Sequence, residues 1–373
     1  MSVRMVRSEM ARNSDATYLD GRNGQLKWNY TTGLELKSFL DVAERYDGCD
    51  DIYAYVKHWA DTMMTPDGKI HTYKKSNFNV DHICPARIYF DLYDKTGDER
   101  YRNILSMIRE QLDDQPRTES GEFWHKKIYP HQVWLDGLYM ALPFYAEYTS
   151  RFEAPERRDS IYNDIVHQFV AAAENTFDPQ TGLFRHAWDE SRSMFWADPE
   201  TGQSAHAWGR ANGWYSVALV EVMEWLPLNH PGREVLGEQL RYLYSVLPKY
   251  ADSESGMWYQ VLDCPRREGN YLESSASIMF IYAFLKGLRS GCIDASETEN
   301  IKGLYDKFVK TFVKENEDGT ISITSCCSVA GLGGKDNRKG DYAYYLSEPV
   351  IDNDCKAVGP CIWASLEMEK LGK

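Results

Sequence analysis

The sequence predicts an all-α fold, an (α/α)6 barrel of six inner and six outer helices with short β-hairpins at the active-site end. Three features lead to this prediction: a recurring glycine-turn motif, apolar helical segments that follow it, and charged amphipathic segments between them. At 373 residues the chain could form two or three domains by length alone. Because no Pro-, Gly- or Ser-rich linker interrupts the alternation, we expect a single domain over residues 1–373.

The glycine-turn motif reads Gly, any residue, a large apolar residue, any residue and one further position. It predicts a tight turn that enters a short strand, because glycine favours turns and the side chains after it alternate. The fifth position is histidine in two copies, His125 and His186, and glutamine in a third, Gln260. The copies are GKIHT at 68, GEFWH at 121, GLFRH at 182, GMWYQ at 256 and GTISI at 319.

Six segments that are apolar nearly all round predict the buried inner helices. They begin at Trp28, Phe78, Tyr129, His206, Asn270 and Glu348. The outer helices are predicted at 50–63, 98–113, 156–176, 232–249 and 296–315, with the N-terminal helix as the sixth. In such a barrel the starts of the inner helices share one end, so the polar and aromatic residues before them should converge on one cleft.

Composition excludes several classes of partner. The chain is 43% hydrophobic and 26% charged, as in globular proteins, and its net charge of −14 argues against nucleic acid or an anionic membrane surface. No apolar run approaches the roughly 18 residues of a membrane span. The N-terminal segment also lacks the apolar stretch of a signal peptide. We expect a cytoplasmic or periplasmic protein and leave the choice between the two open. The eight cysteines form no CxxC pair and are predicted to be mostly buried free thiols.

The segment HQVWLDG at 131–137 contains the strongest catalytic candidate, Asp136, between Trp134 and Gly137. A carboxyl beside an aromatic wall tends to have a raised pKa, because desolvation disfavours its charged form. Such an acid can hold a proton near neutral pH and deliver it to a substrate. Gly137 would let another group approach the backbone closely. The alternative is an aspartate that only caps or charges a helix N-terminus.

Other polar and aromatic residues are predicted at the same end, and each has a structural alternative. WGRANGW places Arg210 between Trp208 and Trp214, an arrangement that suits a planar carboxylate stacked on an aromatic face. The two tryptophans could instead serve packing alone, and Asp81 could be a helix N-cap. The remaining candidates are Tyr30, His82, His125, Lys126, His131, His186 and His206.

For His131 and His206 we favour core histidines bonded to backbone carbonyls. Metal binding is weakly indicated, since the sequence has no HxxxH or HxH pair. It also contains no GxSxG elbow, P-loop or dinucleotide fingerprint, so acid–base chemistry by carboxylates on a sugar remains.

With these residues in view, the chain resembles the unsaturated rhamnogalacturonyl hydrolases, family 105 of the glycoside hydrolases, which are related to the unsaturated glucuronyl hydrolases of family 88. The resemblance spans nearly the whole chain. It rests on FNVDH at 78, WHKK at 124, HQVWLDGLYMA at 131, WGRANGW at 208 and the terminal SVAGLGG and YYLSEPVIDNDCKAVG.

The resemblance implies an (α/α)6 barrel that acts on oligosaccharides left by polysaccharide lyases. Asp136 would protonate C4 of the terminal 4,5-unsaturated uronic acid and activate a water for C5. Asp81 would be its acidic partner and bind ring hydroxyls, while Arg210 and Trp214 would bind the uronate. The pocket would be lined by Tyr30, His125, Lys126, Trp134, His186 and Trp208. No metal or organic cofactor is implied, and we expect a monomer or weak homodimer.

Three rival functions remain open at this point. An ordinary inverting glycosidase would pair Asp136 with a base such as Asp81 or Glu273, about 6.5–9.5 Å away. A sugar epimerase would need more histidines arranged as acid/base pairs. A non-catalytic glycan-binding protein would hold an oligosaccharide without changing it. The aglycone is a further open question, with rhamnose as the default and ulvan, arabinogalactan and glycosaminoglycan fragments as alternatives.

Overall fold

The computed structural model describes residues 1–372 and contains twelve barrel helices with one additional short helix. The inner helices are α2 (Tyr30–Arg45), α4 (Ile88–Thr96), α6 (Leu135–Phe152), α8 (Gly209–Met223), α10 (Ser274–Arg289) and α13 (Cys355–Leu371). The outer helices are α1 (Ser2–Arg12), α3 (Asp50–Met63), α5 (Glu99–Asp114), α7 (Pro155–Thr176), α9 (Gly232–Val246) and α11 (Thr298–Phe312). The short helix α12 is Tyr342–Ser347.

The inner helices form a closed ring. Helix α6 packs on α8, α8 on α10, α10 on α13 and α13 on α2. The ring closes because α2 and α6 both contact the short turns that lead into α4. Each outer helix packs on the inner helix before it, except that α1 packs on α13 and so joins the two ends of the chain. The predicted (α/α)6 barrel is therefore confirmed.

Sequence periodicity explains which helices lie inside. Every residue of α8 is buried, which its nearly continuous apolar and small-residue sequence allows. In α11 the buried residues are Ile301, Tyr305, Phe308 and Phe312, spaced three or four apart along one face. The other face of α11 carries lysines and acids and remains in solvent.

The glycine turns form as predicted. All five glycines have positive φ, between 73° and 101°. In four copies the third residue bridges to the chain that leaves the preceding outer helix, as in Phe177↔Phe184 and Ala251↔Trp258. In the fifth copy the pairing extends to two strands, β3 (Val313–Glu315) and β4 (Ile321–Ile323). The hairpins thus return the chain from the outer layer to the start of each next inner helix.

Two other antiparallel pairs are formed by short strands that are distant in sequence. They join β1 (Gln132–Trp134) to β2 (Ala187–Asp189) and β5 (Cys326–Cys327) to β6 (Val350–Ile351).

Three helix predictions are wrong in detail. The segment from Phe78 is not one long helix but two 3-10 turns, Val80–His82 and Cys84–Arg87, before a short α4. Pro85 in this segment lacks the N–H that a continuous α-helix needs. The helix predicted at 296–315 ends at Phe312, where the strand β3 begins. The helix predicted at 232–249 ends at Val246 and continues as a 3-10 turn over Leu247–Tyr250.

All eight cysteines are free thiols, as predicted, with only Cys264 and Cys292 partly exposed. Within residues 1–372 there is no helix with the length and apolar character of a membrane span. A cavity of about 890 Å³ is lined by the C-terminal halves of the inner helices and so lies opposite the end at which they begin. We call the end that holds this cavity the base of the barrel, and the end at which the inner helices begin the mouth.

Candidate active site

Five of the six inner helices have one of the site's polar groups at or just before their first turn, at the mouth. Tyr30 opens α2, Asp136 and Arg210 lie in the first turns of α6 and α8, Glu273 precedes α10, and Asp81 lies in the turn before α4. The hairpins add His125 and His186 at their fifth positions. The convergence that the sixfold pattern predicts is thus present in the structure.

Asp136 does not cap α6. The N-cap position belongs to Trp134, and among the described residues the carboxylate of Asp136 accepts no hydrogen bond from a backbone N–H. Its Oδ2 atom lies 3.2 Å from Nε2 of His186, outside good hydrogen-bond alignment. Asp136 therefore presents a largely enclosed carboxyl group, 13% exposed, whose nearest polar neighbour is an imidazole.

His186 is completely buried and connects Asp136 to Tyr345. Its Nδ1 atom lies 2.8 Å from the Tyr345 hydroxyl, which packs on the far side of the ring from Asp136. A neutral imidazole donates from one nitrogen and accepts at the other. The direction of the Tyr345 hydrogen bond consequently fixes whether Nε2, the ring atom 3.2 Å from Asp136, carries a hydrogen.

Trp134, the aromatic wall that we expect beside Asp136, lies among other aromatic rings. Its indole stacks between the rings of His125, at 4.6 Å, and Tyr129, at 5.2 Å, and His186 meets it edge-on at 5.3 Å. The indole N–H donates to Gln132 Oε1 at 3.1 Å. Three neighbouring rings and one hydrogen bond fix this wall in place.

Asp81 is held as a carboxylate by its neighbours. Lys126 Nζ lies 2.6 Å from Oδ2, and His125 Nε2 lies 3.5 Å from Oδ1. Burial alone would raise the pKa of Asp81, but the charge of Lys126 outweighs it with help from His125, so the pKa lies below its ordinary value. Asp81 is not a helix N-cap, because Asn79 occupies that position and accepts from the Asp81 N–H.

His125 lies between the two acids. Burial lowers its pKa to about 4, against the raising effect of Asp81, so the ring is neutral near pH 7. A Cβ atom on Gly137 would lie 3.1 Å from Nδ1 of His125, tighter than most real contacts. The close approach predicted at Gly137 is therefore confirmed, and the group that approaches is His125.

Tyr30 and Trp214 form a second aromatic pair at the mouth. Their rings meet edge-on at 6.2 Å, and Trp214 also stacks on Tyr139 at 4.7 Å. Burial raises the pKa of Tyr30, and both Asp81 and Asp136 lie close enough to contribute to the rise. Tyr30 is therefore an uncharged hydroxyl group within electrostatic reach of both carboxyls.

Arg210 is wholly buried in a protein network. Its Nε donates to Ser275 Oγ at 2.7 Å, and one terminal nitrogen contacts Glu273 Oε1 at 3.4 Å and donates to the Cys327 carbonyl. The other terminal nitrogen has a single 3.4 Å contact with the Ser328 carbonyl. Its guanidinium carbon lies 5.3 Å from the Trp208 ring centre, so the guanidinium lies over the indole of Trp208.

Both histidines expected to lie in the core are placed elsewhere. His131 is exposed, with positive φ, and its Nδ1 lies 3.0 Å from Glu190 Oε2. Nδ1 of His206 lies 2.9 Å from Asp263 Oδ2, so a carboxylate replaces the expected backbone carbonyl. His82 is partly buried beside Tyr73, and burial lowers its pKa.

Sequence reasoning did not select two residues that the structure brings to the site. Tyr345 contacts His186, and Gln260 accepts from the Trp208 indole N–H at 3.1 Å while it donates to the Tyr345 carbonyl at 3.2 Å. The sequence did contain a signal for Gln260, because this residue stands at the fifth position of a glycine turn, as His125 and His186 do. Tyr345 had only its place in the YYLSEP segment.

Comparison with known proteins places this geometry in a family. The family model described as Glycosyl Hydrolase Family 88 matches residues 1–372 of the chain. The chain belongs to this family. It is a glycoside hydrolase of the group that acts on unsaturated uronyl sugars.

Three relatives define its position further. A solved family 105 glycoside hydrolase from C. acetobutylicum is 42% identical over 99% of both chains, with a TM-score of 0.93, which confirms the family 105 resemblance. Protein Atu3128 of Agrobacterium fabrum is 37% identical over 234 residues, 61% of this chain and 97% of that protein. The unsaturated rhamnogalacturonyl hydrolase YesR of Bacillus subtilis is 27% identical over 331 residues, 84% of this chain and 82% of that one.

Proposed function

We propose that this enzyme removes a 4,5-unsaturated uronic acid from the non-reducing end of lyase-generated oligosaccharides by hydrating its C4=C5 enol ether. The observation that carries the proposal is the unequal pair of carboxyls at the mouth. Asp81 is neutralised by Lys126, whereas no lysine or arginine among the described residues pairs with Asp136. One acid is thereby suited to bind and the other to transfer a proton.

In the proposed reaction, the Asp136 carboxyl gives its proton to C4 and positive charge develops at C5. The resulting Asp136 carboxylate takes a proton from the water that bonds to C5. The hemiketal formed there opens and releases the next sugar. Protonation of carbon is slow, so the acid must be fixed in place. The Trp134 wall and His186 supply that rigidity.

His186 and Tyr345 act as positioning residues in this scheme. The imidazole faces Asp136 through Nε2, and the hydroxyl of Tyr345 fixes the tautomer through Nδ1. Arg210 supplies positive charge for the uronate carboxylate through the terminal nitrogen that has only the Ser328 contact. Trp208 packs beside the Arg210 guanidinium, and Trp214 packs beside Tyr30.

Rhamnose is the aglycone that we propose. The loop that carries Phe195 and the loop that carries Val329 meet near Gly333, whose added Cβ would lie 3.1 Å from Met194. Apolar side chains are exposed on both loops and on the neighbouring 126–129 turn, with Phe195 57% and Ile128 73% exposed. Such a rim suits the methyl group of a 6-deoxy sugar, and YesR acts on an unsaturated rhamnogalacturonyl substrate by its name.

The structure gives little support to Glu273 as the base of an ordinary inverting glycosidase. Its oxygens already accept from the Cys327 N–H at 2.9 Å, the Ala276 N–H at 2.7 Å and the Ser275 hydroxyl. It is wholly buried against Arg210. A carboxylate with this many donors has no free lone pair with which to activate a water.

The test follows the ultraviolet absorbance of the conjugated enol acid in lyase digests of rhamnogalacturonan, ulvan, arabinogalactan and glycosaminoglycan. Wild type should bleach the rhamnogalacturonan digest fastest, and Asp136→Asn should lose about 10²–10⁴-fold in rate. Asp50→Asn is the matched control, since Asp50 also lies in the first turn of a helix but is exposed. Near-normal bleaching by Asp136→Asn would overturn the assignment of Asp136 as the proton donor. Faster bleaching of another digest would overturn the proposal that the aglycone is rhamnose.

A further inference from the structure

Outside the catalytic group, His206, Asp263 and Cys264 bring three metal-binding atoms together at the side of the mouth. One donor atom from each residue lies within 4.8 Å of the others. Nδ1 of His206 is 2.9 Å from Asp263 Oδ2 and 3.8 Å from Cys264 Sγ. Imidazole, carboxylate and thiolate together form a donor set typical of zinc.

The distances are close to those of a tetrahedral zinc site. Zinc–nitrogen bonds of about 2.0–2.1 Å and zinc–sulfur bonds of about 2.3 Å place N and S about 3.6 Å apart. The 3.8 Å between His206 Nδ1 and Cys264 Sγ is within a few tenths of an ångström of this value. The nitrogen and carboxylate oxygen need to separate only slightly to admit the ion.

Surrounding hydrogen bonds hold the three donors in place. The Ala207 N–H donates to Asp263 Oδ1 at 3.1 Å, and Asn270 Nδ2 donates to the carbonyls of Val261 and Cys264 at 2.9 and 2.8 Å. The loop that carries two of the ligands is thereby fixed to the segment that carries the third. Cys264 and His206 are both partly exposed, so an ion can reach them from solvent.

Two arginines near the site limit the affinity with which we expect it to bind a metal ion. Arg185 lies 3.0 Å from Asp263 Oδ2, and Arg267 lies 4.0 Å from Cys264 Sγ. They stabilise an anionic carboxylate and thiolate but oppose the excess charge of a dication. We therefore propose that His206, Asp263 and Cys264 bind one thiophilic divalent metal ion, such as zinc or cadmium, with an affinity weaker than that of structural zinc sites.

This site would be separate from the hydration chemistry but connected to it. The carbonyl of His206 accepts from the backbone N–H of His186 at 3.2 Å. A bound ion would therefore fix the segment next to the histidine that contacts Asp136. None of the three ligands contacts Asp136 or Asp81.

The test titrates cadmium into the full-length chain and follows the ultraviolet cadmium–thiolate charge-transfer band, with zinc as competitor. Wild type should bind one equivalent, Cys264→Ser should lose the band, and His206→Gln should weaken binding at least tenfold. Cys292→Ser is the matched control, since Cys292 is the other partly exposed thiol. It should leave the band unchanged.

Three results would overturn the proposal: no band in the wild type, a band that survives Cys264→Ser, or unchanged affinity in His206→Gln. Circular dichroism of each variant separates loss of the site from loss of the fold. If Cys264→Ser fails to fold, Cys264→Ala provides the same test, because it also removes the sulfur.

Discussion

The mouth and the base of the barrel are made from the same six inner helices but hold their buried acids in different ways. At the mouth, the Oδ2 atom of Asp136 lies 3.2 Å from His186 Nε2, and no lysine or arginine among the described residues pairs with this carboxyl. At the base, Glu221 is 6% exposed and contacts Arg87 at 2.5 Å, Lys286 at 2.5 Å and the hydroxyl of Tyr282. The acid to which we assign proton transfer therefore has no cation beside it, whereas Glu221 is paired with two.

The first prediction is that removing the acid at the base lowers stability, whereas removing the acid at the mouth lowers activity. Glu221→Gln should lower the free energy of unfolding by about 3–5 kcal/mol, because it leaves Arg87 and Lys286 buried with one fewer negative charge. The folded fraction should keep its rate of hydrolysis. Asp136→Asn should do the reverse, with activity lost and the unfolding free energy nearly unchanged. Urea denaturation together with initial rates on the unsaturated substrate checks both. Equal stability losses in the two variants would contradict the comparison.

The second prediction uses pH. Burial lowers the pKa of His125 to about 4 at the mouth, and burial raises the pKa of Glu147 to about 7 at the base. Between about pH 4 and 6.5 the unfolded chain binds more protons at His125, so this residue makes stability rise with pH. Between about pH 4.5 and 7 the folded chain binds more protons at Glu147, so this residue makes stability fall with pH.

Each of these contributions amounts to about 3 kcal/mol, since one pKa unit is about 1.4 kcal/mol. They oppose each other in the wild type, so its stability should change little across the window on their account. The stability of His125→Gln should therefore fall as pH rises through this range, and the stability of Glu147→Gln should rise. Urea midpoints measured across this range check the signs. Parallel pH profiles in the two variants would show that at least one pKa direction is wrong.

The third prediction concerns Lys126 and Asp81. Removing the ammonium in Lys126→Gln should let the pKa of Asp81 rise, so the acidic limb of the kcat/KM profile should move to higher pH. Lys127→Gln is the control, because Lys127 is the adjacent residue and lies over Phe78. If both variants keep the wild-type acidic limb, Asp81 does not act as a carboxylate in the reaction.

The smallest expected effect is that of Tyr345→Phe. The ring stays stacked on Trp208, but the hydrogen bond to His186 is lost. We expect kcat to fall about tenfold, the kinetic equivalent of about 1.4 kcal/mol, with KM nearly constant. Tyr344→Phe is the matched control, since the Tyr344 hydroxyl contacts Gly331 and Glu348 instead. A change in KM alone would indicate a binding role rather than positioning of His186.

Most of the fold could be predicted because it depends on local patterns. Glycine turns at Gly121 and Gly182 and the continuous apolar run of α8 each determine their own segment. The same repeat places His125 and His186 at one end. The exception near Pro85 is also local, but the apolar pattern there outweighed the proline in the sequence-based prediction.

The details of the site were less predictable because they depend on contacts between distant segments. Arg210 meets Glu273, 63 residues away, and His186 meets Tyr345, 159 residues away. No spacing rule predicts such pairs, since they arise only when the ring of helices closes. His131 illustrates the converse, because its turn conformation with positive φ places it in solvent beside a buried strand.

The most direct test of hydration at C4=C5 compares two disaccharides that differ only in that double bond. With the unsaturated compound, wild type should release the aglycone and bleach the ultraviolet absorbance in equal amounts. With the saturated compound, it should release no aglycone. Cleavage of both at similar rates would contradict the account, because it would show that Asp136 protonates a glycosidic oxygen instead of an alkene carbon.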